Sequence, residues 1–255
     1  NLDCIKLKRI RNNKIKVIHI KTNFVFIMKE NETKENQKNE IEFYSKIKVF
    51  QDKKIVPRLI GKIENEESLL FDYYDNFADF VEREWETLND TDKTIIVIKI
   101  IFLLNYLHSN GFILCGLQID SFLIGKNENG LYDVLIDDLY HFLQQDYSVS
   151  LNSNFVSPEI KKRHLYPNLN LPISYHSDIF SIGKIFTSLG LVEKNNIVQR
   201  CIDENFDNRP NSLFLLISFY CNENYFPQCD HKFVNKMIKS MINNDLFENH
   251  NRMDI

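Results

Sequence analysis

A loop that is well framed but poor in reactive groups lies near the middle of this sequence. Residues 111–124 read GFILCGLQIDSFLI and lie between a long apolar run and a hairpin pattern that contains glycine. Loops held between regular elements often carry catalytic side chains. The centre of this loop is Cys115, Gly116 and Gln118, and its one acid is Asp120. These residue types give no acid–base pair for catalysis.

Two adjacent carboxylates, Asp137 and Asp138, follow the apolar run YDVLI. Hard cations take carboxylate oxygens as ligands, so the two residues can hold a metal ion such as Mg²⁺. The same residues also suit a polar turn that closes a hairpin, because aspartate is common in turns. The sequence leaves both interpretations open.

The cysteines are scattered, and no Cys-x-x-Cys motif joins any two of them. Zinc sites and redox motifs need close, regular spacing. We therefore expect buried thiols in a reducing, intracellular compartment rather than disulfides or a zinc site. The five cysteines are Cys4, Cys115, Cys201, Cys221 and Cys229.

Charge and hydropathy argue against two classes of partner. The 255 residues include 31 Lys or Arg and 35 Asp or Glu, which gives a net charge of −4. Nucleic-acid binding calls for a basic stripe, and we interpret the lysines of 6–16 and 161–163 as solvated. No run of 18 apolar residues is present, and residues 1–20 lack the apolar core of a signal peptide. We expect neither nucleic acid nor membrane as a partner.

The first 75 residues predict a small antiparallel sheet with one helix. Runs rich in Ile, Val and Phe alternate with tight polar breaks, as in strands joined by short turns. A charged segment follows in which Glu40, Tyr44 and Ile47 share one helical face. The predicted strands cover residues 4–10, 14–20, 23–30, 56–63 and 68–74.

From residue 76 onwards the pattern is mainly helical. A long apolar helix ends at Gly111, where glycine is favoured just after a helix. The remaining predicted elements are helices at 77–84, 177–189, 196–206, 212–220 and 231–245, a hairpin at 122–138, and an irregular segment at 138–157.

The chain therefore predicts an α+β fold with two lobes. The N-terminal lobe spans residues 1–75, the larger helical lobe spans 76–221, and a helical extension at 222–255 packs on the helical lobe. The helix of this extension has an apolar stripe that can cover its own lobe or bind a partner. The stripe consists of Met237, Ile238, Met241 and Ile242.

Short motifs between residue 4 and about residue 220 resemble those of the eukaryotic protein kinase domain and occur in the same order. VFIMKE is similar to the Val-Ala-Ile-Lys element and puts Lys29 at the ATP-anchoring lysine. NEIEFY suits the helix whose glutamate pairs with that lysine, with Glu40 as first choice and Glu42 as second. LIDDLY resembles Asp-Phe-Gly and puts Asp137 at the metal-binding aspartate.

Three further motifs resemble kinase elements that hold the helical lobe together. VSPE resembles Ala-Pro-Glu, and FDNRPNS resembles the element x-Arg-Pro-Ser. The resemblance implies a buried, bidentate ion pair between Glu159 and Arg209. SDIFSIGKIF resembles the Asp-x-Trp-Ser-x-Gly helix, with Asp178, Ser181 and Gly183 in register. Asp178 is expected to have a structural role near a helix start.

The resemblance aligns the loop described above with the kinase catalytic loop, without a gap. Leu114, Cys115 and Gly116 stand at His-Arg-Asp, Gln118 stands at the phosphate-contacting lysine, and Ser121 stands at the metal-binding asparagine. Orienting or general-base carboxylates are typically worth about 10²–10⁴ in rate, and Gly116 has no side chain. Asp120 is four residues further on, which displaces its carboxyl by roughly 10 Å in an extended loop.

The nucleotide site also lacks expected features. The first glycine of the chain is Gly61, and the turn between the first two predicted strands is Arg11-Asn12-Asn13. Glycines let backbone amides approach phosphates closely. Because this turn contains no glycine, the glycine-rich cover of kinases is absent from it. Ile27 replaces the small residue that lies over adenine in kinases. Phe71 narrows the slot further, and overfilling a packed slot costs about 1–3 kcal/mol.

These losses predict a pseudokinase, a kinase-like domain that regulates or scaffolds other proteins through direct contacts. Its partners would be proteins, such as an active kinase or another effector, and no cofactor is expected. Lys29, Glu40 and Asp137 would then form a vestigial nucleotide and magnesium site. Glu159, Arg209 and Asp178 would keep only structural roles.

Two alternatives stay open. The first is an atypical active Ser/Thr protein kinase that binds MgATP through Lys29, Glu40 and Asp137. FIMK also resembles the Phe-Ile-Lys-Lys element of a divergent apicomplexan kinase family that lacks the glycine-rich loop. The second alternative is a pure interaction module that binds no nucleotide.

Overall fold

An antiparallel five-stranded sheet precedes a mainly helical part, so the fold is α+β, as predicted. The structure is a computed structural model. It describes residues 4–11, 13–63, 66–137, 139–140, 153–168, 173–191, 196–220 and 228–248.

The strands form two sheets. In the larger sheet the order is β1-β2-β3-β5-β4, and the smaller sheet has the order β6-β7-β8. All paired strands are antiparallel. The strands are β1 Cys4–Arg11, β2 Lys14–His19, β3 Val25–Glu30, β4 Leu59–Lys62, β5 Ser68–Asp72, β6 Asp75–Asn76, β7 Phe122–Lys126 and β8 Tyr132–Ile136.

Two helices lie within the sheet region, and the others follow it. They are α1 Lys34–Lys46, α2 Lys48–Asp52, α3 Phe77–Glu84, α4 Asp90–Ser109, α5 Pro158–Leu165, α6 Tyr175–Ser188, α7 Asn196–Cys201, α8 Ser212–Tyr220 and α9 His231–Glu248. Short 3₁₀ helices cover Trp85–Thr87, Ile119–Ser121 and Phe206–Asn208.

One face of β1–β3 in the larger sheet carries lysines together with the buried Ile27, and is termed the charged face. Successive side chains of a strand point to opposite faces, so the alternation of Lys with apolar residues in β2 separates them. Ile15 and Val17 are buried in a small cluster with Met28 of β3. Lys14 and Lys16 of β2 therefore lie on the opposite face of the sheet.

The core of the helical part is built around α4. Asn89 caps its first turn by accepting a hydrogen bond from the Asp92 amide, and Gly111 follows its end with φ +80°. A helix that is apolar on all sides needs neighbours on all sides. The buried apolar residues of α4 are Ile95, Ile96, Val97, Ile98, Ile100, Ile101, Leu103, Leu104 and Leu107. None of the helices described has the length and apolarity needed to cross a bilayer.

The helix of the C-terminal extension packs against the start of α4. Val234 and Ile238 of α9 are buried, and the Asp230 amide just before α9 donates a 2.9 Å hydrogen bond to Thr91 Oγ1. Ile238 and the partly buried Met237 thus cover the chain's own core, which is one of the two roles left open for this stripe. The side chains of Met241 and Ile242 lie outside the described residues.

Two helices were not anticipated from the sequence. α5 begins at Pro158, where proline suits the first helical position, but only one of its apolar residues, Ile160, is buried. A helix with a single buried apolar residue has no detectable hydrophobic period. α2 is a five-residue helix directly after α1, and it buries Phe50.

The described cysteines form no disulfide, as expected. Cys115, Cys201 and Cys229 are buried, and Cys4 is half-buried. Burial raises the pKa of the Cys201 thiol to about 12, so this thiol is protonated at neutral pH. Cys221 lies outside the described residues.

Gly183 allows α6 to pack closely on α7, and its replacement by alanine should destabilise the fold. A Cβ at this position would lie 2.6 Å from Cys201 Cβ and 2.7 Å from Ile202 Cγ2. We expect Gly183→Ala to lower the free energy of unfolding by about 1–3 kcal/mol, measured by urea denaturation. Gly61→Ala is the matched control, because a Cβ there meets no atom within 4 Å. Equal stability of the two variants would contradict the close packing.

Candidate functional site

A cavity of about 210 Å³ lies against the charged face of β1–β3. Sites for drug-sized ligands usually measure about 300–1,000 Å³, so this cavity is small. Its lining includes basic residues of the sheet and acidic residues of the segment that follows β5. The charged lining residues are Lys8, Lys14, Lys16, Lys29, Asp72, Asp75, Asp79, Arg83 and Asp137.

Lys29 and Glu40 form a buried ion pair beside this cavity. Lys29 Nζ donates a 2.7 Å hydrogen bond to Glu40 Oε1, and the two side chains are 6% and 1% exposed. Lys29 ends the run VFIMK on β3, and Glu40 lies on the inner face of α1. Glu42, the second choice from the sequence, points to solvent and pairs with Lys46 four residues later. The structure therefore brings Lys29 together with Glu40.

Asp137 is held by a lysine that the sequence analysis did not select. Lys14 Nζ donates a 2.6 Å hydrogen bond to Asp137 Oδ1, and these side chains are 14% and 17% exposed. We had interpreted the lysines of residues 6–16 as solvated, and this is wrong for Lys14. It lies in the cavity because β2 turns its even-numbered residues towards that face. The strict alternation in KIKV was the signal that could have identified it.

The residues at the expected metal site do not fit a divalent cation. The Asp137 carboxylate already binds the Lys14 ammonium group. The hydroxyl of Ser121 accepts a 2.9 Å hydrogen bond from the Gln118 amide and so caps its own loop. The described residues contain no group of three His, Cys, Asp or Glu that could hold a metal ion. Asp138, the other carboxylate considered for this role, lies outside them.

The loop at residues 111–121 is ordered by its own contacts and presents no reactive side chain to the cavity. Leu114 and Cys115 are buried, and Cys115 and Gly116 have φ angles of +53° and +149°. Burial raises the pKa of the Cys115 thiol far above its ordinary value, so the thiol is not a nucleophile at neutral pH. Asp120 is not among the residues that line the cavity. The loop thus presents no carboxylate to the cavity.

Asp178 fixes the backbone of this loop from α6. Its carboxylate accepts hydrogen bonds from the amides of Leu114, at 2.9 Å, and Cys115, at 2.6 Å. The ring of His108 lies 3.1 Å from the same carboxylate. Asp178 is fully buried, and these contacts stabilise its charge. Its role in the geometry is structural, at the first turn of α6.

Glu159 and Arg209 form a second buried ion pair. Arg209 donates to both carboxylate oxygens of Glu159, at 2.6 and 2.9 Å, and Ser177 Oγ donates to Glu159 at 2.9 Å. The guanidinium also lies over the ring of Phe180, 4.9 Å from its centroid. Such a pair joins the start of α5 to the segment before α8 through planar, bidentate geometry.

The part of the cavity expected to hold adenine is filled by side chains. Ile27 and Phe71 face each other across β3 and β5, are 8% and 6% exposed, and both line the cavity. Tyr44 of α1 packs against Phe71, with ring centroids 5.1 Å apart. Half of the residues that line the cavity are charged, and Ile10, Pro57 and Leu123 are among the uncharged ones.

No family model matches this chain, and none of the curated proteins matches it either. The kinase resemblance therefore rests on the short motifs and on the positions of their residues.

The ion pair of Glu159 gives an expected pH dependence. Burial alone would raise the pKa of Glu159, but the hydrogen bond and charge of Arg209 outweigh burial and hold the pKa below its ordinary value. The stabilisation is therefore complete above about pH 4.3, the unfolded-state value, and is lost as the pH falls towards the lower folded-state pKa.

We expect Glu159→Gln to lower the free energy of unfolding by about 3 kcal/mol at pH 7, because it leaves a buried guanidinium unpaired. The difference from the unmodified chain should shrink as the pH falls below about 4.3, as measured by denaturant unfolding at several pH values. Glu42→Gln, which breaks the exposed pair with Lys46, is the control and should change little. A difference that is constant across this pH range would argue against the ion pair.

Proposed function

We propose that this chain is a protein-kinase-like domain that does not transfer phosphate and acts through contacts with other proteins. The observation that carries the proposal is the pairing of Asp137 with Lys14, together with a glycine at the position of the orienting carboxylate. In the first feature, Asp137, the residue that would hold a metal ion, is already paired with Lys14. The second removes the group that would orient the hydroxyl acceptor.

The kinase-like part of the proposal is supported by the Lys29–Glu40 pair. Protein kinases carry a lysine on their third strand and pair it with a glutamate of the following helix. Lys29 lies on β3 and Glu40 on α1, the helix that follows. Burying a lysine and a glutamate costs free energy unless the two groups are well placed to pair. A buried pair at this position is therefore an informative similarity to the lysine–glutamate pair of protein kinases.

The inactive part of the proposal follows from what phosphoryl transfer requires. Metal ions bridge and neutralise the phosphates, a glycine-rich loop covers them, and an aspartate orients the acceptor. Here Lys14 binds the metal-site aspartate, and the turn between β1 and β2 contains no glycine. Gly116 offers no carboxylate, and Asp120 is not at the cavity. Each of the three requirements is unmet at its expected position.

A partly exposed apolar face on α8 supports the protein-contact part of the proposal. Leu213, Phe214 and Ile217 are 54%, 47% and 49% exposed. Ile217 lies four positions after Leu213 and three after Phe214, so it is a neighbour of both on the helix surface. Clustered apolar side chains at a surface commonly mark sites of protein contact.

Two other functions compete with this one. The buried Lys29–Glu40 pair favours an atypical active kinase that uses MgATP, whereas the Lys14–Asp137 pair opposes it. The filling of the adenine slot by Ile27 and Phe71 favours a pure interaction module without nucleotide.

A phosphotransfer assay tests the proposal. Purified chain incubated with radiolabelled ATP, Mg²⁺ and a generic protein substrate should give no more labelled product than Lys29→Ala. The reason is that no carboxylate orients the acceptor and Asp137 is engaged by Lys14. An active protein kinase in the same buffer serves as the positive control. Label transfer that disappears in both Lys29→Ala and Asp137→Ala would instead establish an atypical active kinase.

A further inference from the structure

Two pairs of lysines face each other directly across the strands that border the cavity. Lys8 of β1 is opposite Lys16 of β2, and Lys14 of β2 is opposite Lys29 of β3. All four line the cavity. Like charges directly opposite each other on neighbouring strands destabilise a sheet. Four lysines in this arrangement therefore call for anionic partners.

Within the part of the chain that the structure describes, carboxylates pair with two of these four lysines. Asp137 binds Lys14, and Glu40 binds Lys29. Lys16 lies over the ring of Tyr73, with 4.0 Å between its Nζ atom and the ring centroid. Among the described residues, this sheet face consequently has more ammonium groups than carboxylates that pair with them.

Three other carboxylates line the cavity, and two of them contact arginines. Asp72 accepts a 3.2 Å hydrogen bond from Arg58, and Asp75 lies 3.7 Å from Arg83. Asp79, the third, lies on α3. These acids come from the end of β5 and the segment after it, whereas the lysines belong to β1–β3. The cavity is thus basic where the sheet borders it.

We propose that this cavity binds a short oligophosphate without a divalent cation, with Lys14 providing beside Asp137 the positive charge that Mg²⁺ provides in kinases. In kinases the metal ions bridge the terminal phosphates and neutralise their charge. A lysine ammonium group is a compact point charge that also binds phosphate. The inference deepens the proposed function and rests on it for assigning Asp137 to the metal position.

The size of the cavity indicates which part of a ligand would enter. The space of about 210 Å³ is bounded by Ile27 and Phe71 where a base would lie. Two or three linked phosphates bind through lysine ammonium groups close to them and do not need the aromatic slot that a base would occupy. The same chemistry is present in an inorganic oligophosphate and in the phosphate chain of a nucleotide, and the experiment distinguishes these sources.

Thermal unfolding in EDTA with sodium tripolyphosphate, ATP or adenosine tests the inference. We expect tripolyphosphate and ATP to raise the melting temperature and adenosine to leave it unchanged. Excess Mg²⁺ should reduce both shifts, because the metal neutralises the phosphates and competes with the lysines. Stabilisation by adenosine and ATP without stabilisation by tripolyphosphate would overturn the inference, since the base would then carry the binding.

Substitutions identify the role of Lys14. Lys14→Ala should weaken binding of tripolyphosphate in EDTA by about tenfold or more, the usual effect of losing a charge-assisted hydrogen bond. It should also make binding respond to added Mg²⁺, because the Asp137 carboxylate is then available to a cation. Lys16→Ala should weaken binding without creating a response to Mg²⁺. Lys62→Ala removes an exposed lysine of β4 outside the cavity and should leave binding unchanged.

Circular dichroism of each variant without ligand verifies folding, and Lys14→Gln replaces Lys14→Ala if the alanine variant unfolds. The inference is overturned by the absence of any shift in EDTA, by stabilisation that requires Mg²⁺ in the unmodified chain, or by equal binding of the Lys14→Ala and Lys62→Ala variants. Its failure is distinguishable from that of the proposed function. Phosphotransfer would overturn the proposed function, whereas a missing shift in EDTA would overturn only the oligophosphate site.

Discussion

A charge that leaves water must meet an opposite charge, and this requirement organises the interior of the molecule. Removing one partner of a buried ion pair commonly costs about 3–5 kcal/mol, so each pair fixes the elements that carry it. All but one of the pairs here join segments at least 34 residues apart in the sequence, and Lys29 and Glu40 are 11 residues apart. The pairs are Lys29 with Glu40, Lys14 with Asp137, Asp133 with both Lys54 and Lys99, and Glu159 with Arg209.

The same requirement determines what the cavity can do. Burying the Asp137 carboxylate without a partner would cost free energy. Its charge is neutralised by the ammonium group of Lys14, which is covalently attached to the chain, and not by an exchangeable metal ion. A tethered ammonium group cannot coordinate several phosphate oxygens with fixed geometry as a metal ion does, but it can attract them. Under the proposed function, the interaction that stabilises the site is also the one that opposes metal-dependent phosphoryl transfer.

The supporting frame does not depend on that chemistry. Asp178 holds the backbone of the loop at Leu114 and Cys115, and the Glu159–Arg209 pair holds the segment that leads into α5. These contacts use backbone amides and residues remote from the cavity. The conformation of this loop therefore does not depend on reactive side chains, and fold and function must be argued separately.

The sequence by itself determined most of the secondary structure and the types of side chain that the loop at residues 111–124 lacks. Period-two runs of Ile and Val gave the strands, and the continuous apolar run gave α4. Gly116 left the centre of the following loop without a side chain. The resemblance of NEIEFY to the kinase helix made Glu40 the first choice as the partner of Lys29, and the periodicity placed Glu40 on one helical face with Tyr44, where both are buried. The polar helix α5 was missed because a hydrophobic period needs more than one buried apolar residue.

Only the tertiary structure decided which charges meet. Lys14 and Asp137 are 123 residues apart, and nothing in the local pattern of either segment specifies the other. Their contact exists because β2 lies next to β3 in the sheet and turns its even-numbered residues towards the end of β8. Propensity and periodicity act over a few residues, whereas an ion pair depends on a distance of a few ångströms between side chains, and packing alone sets that distance.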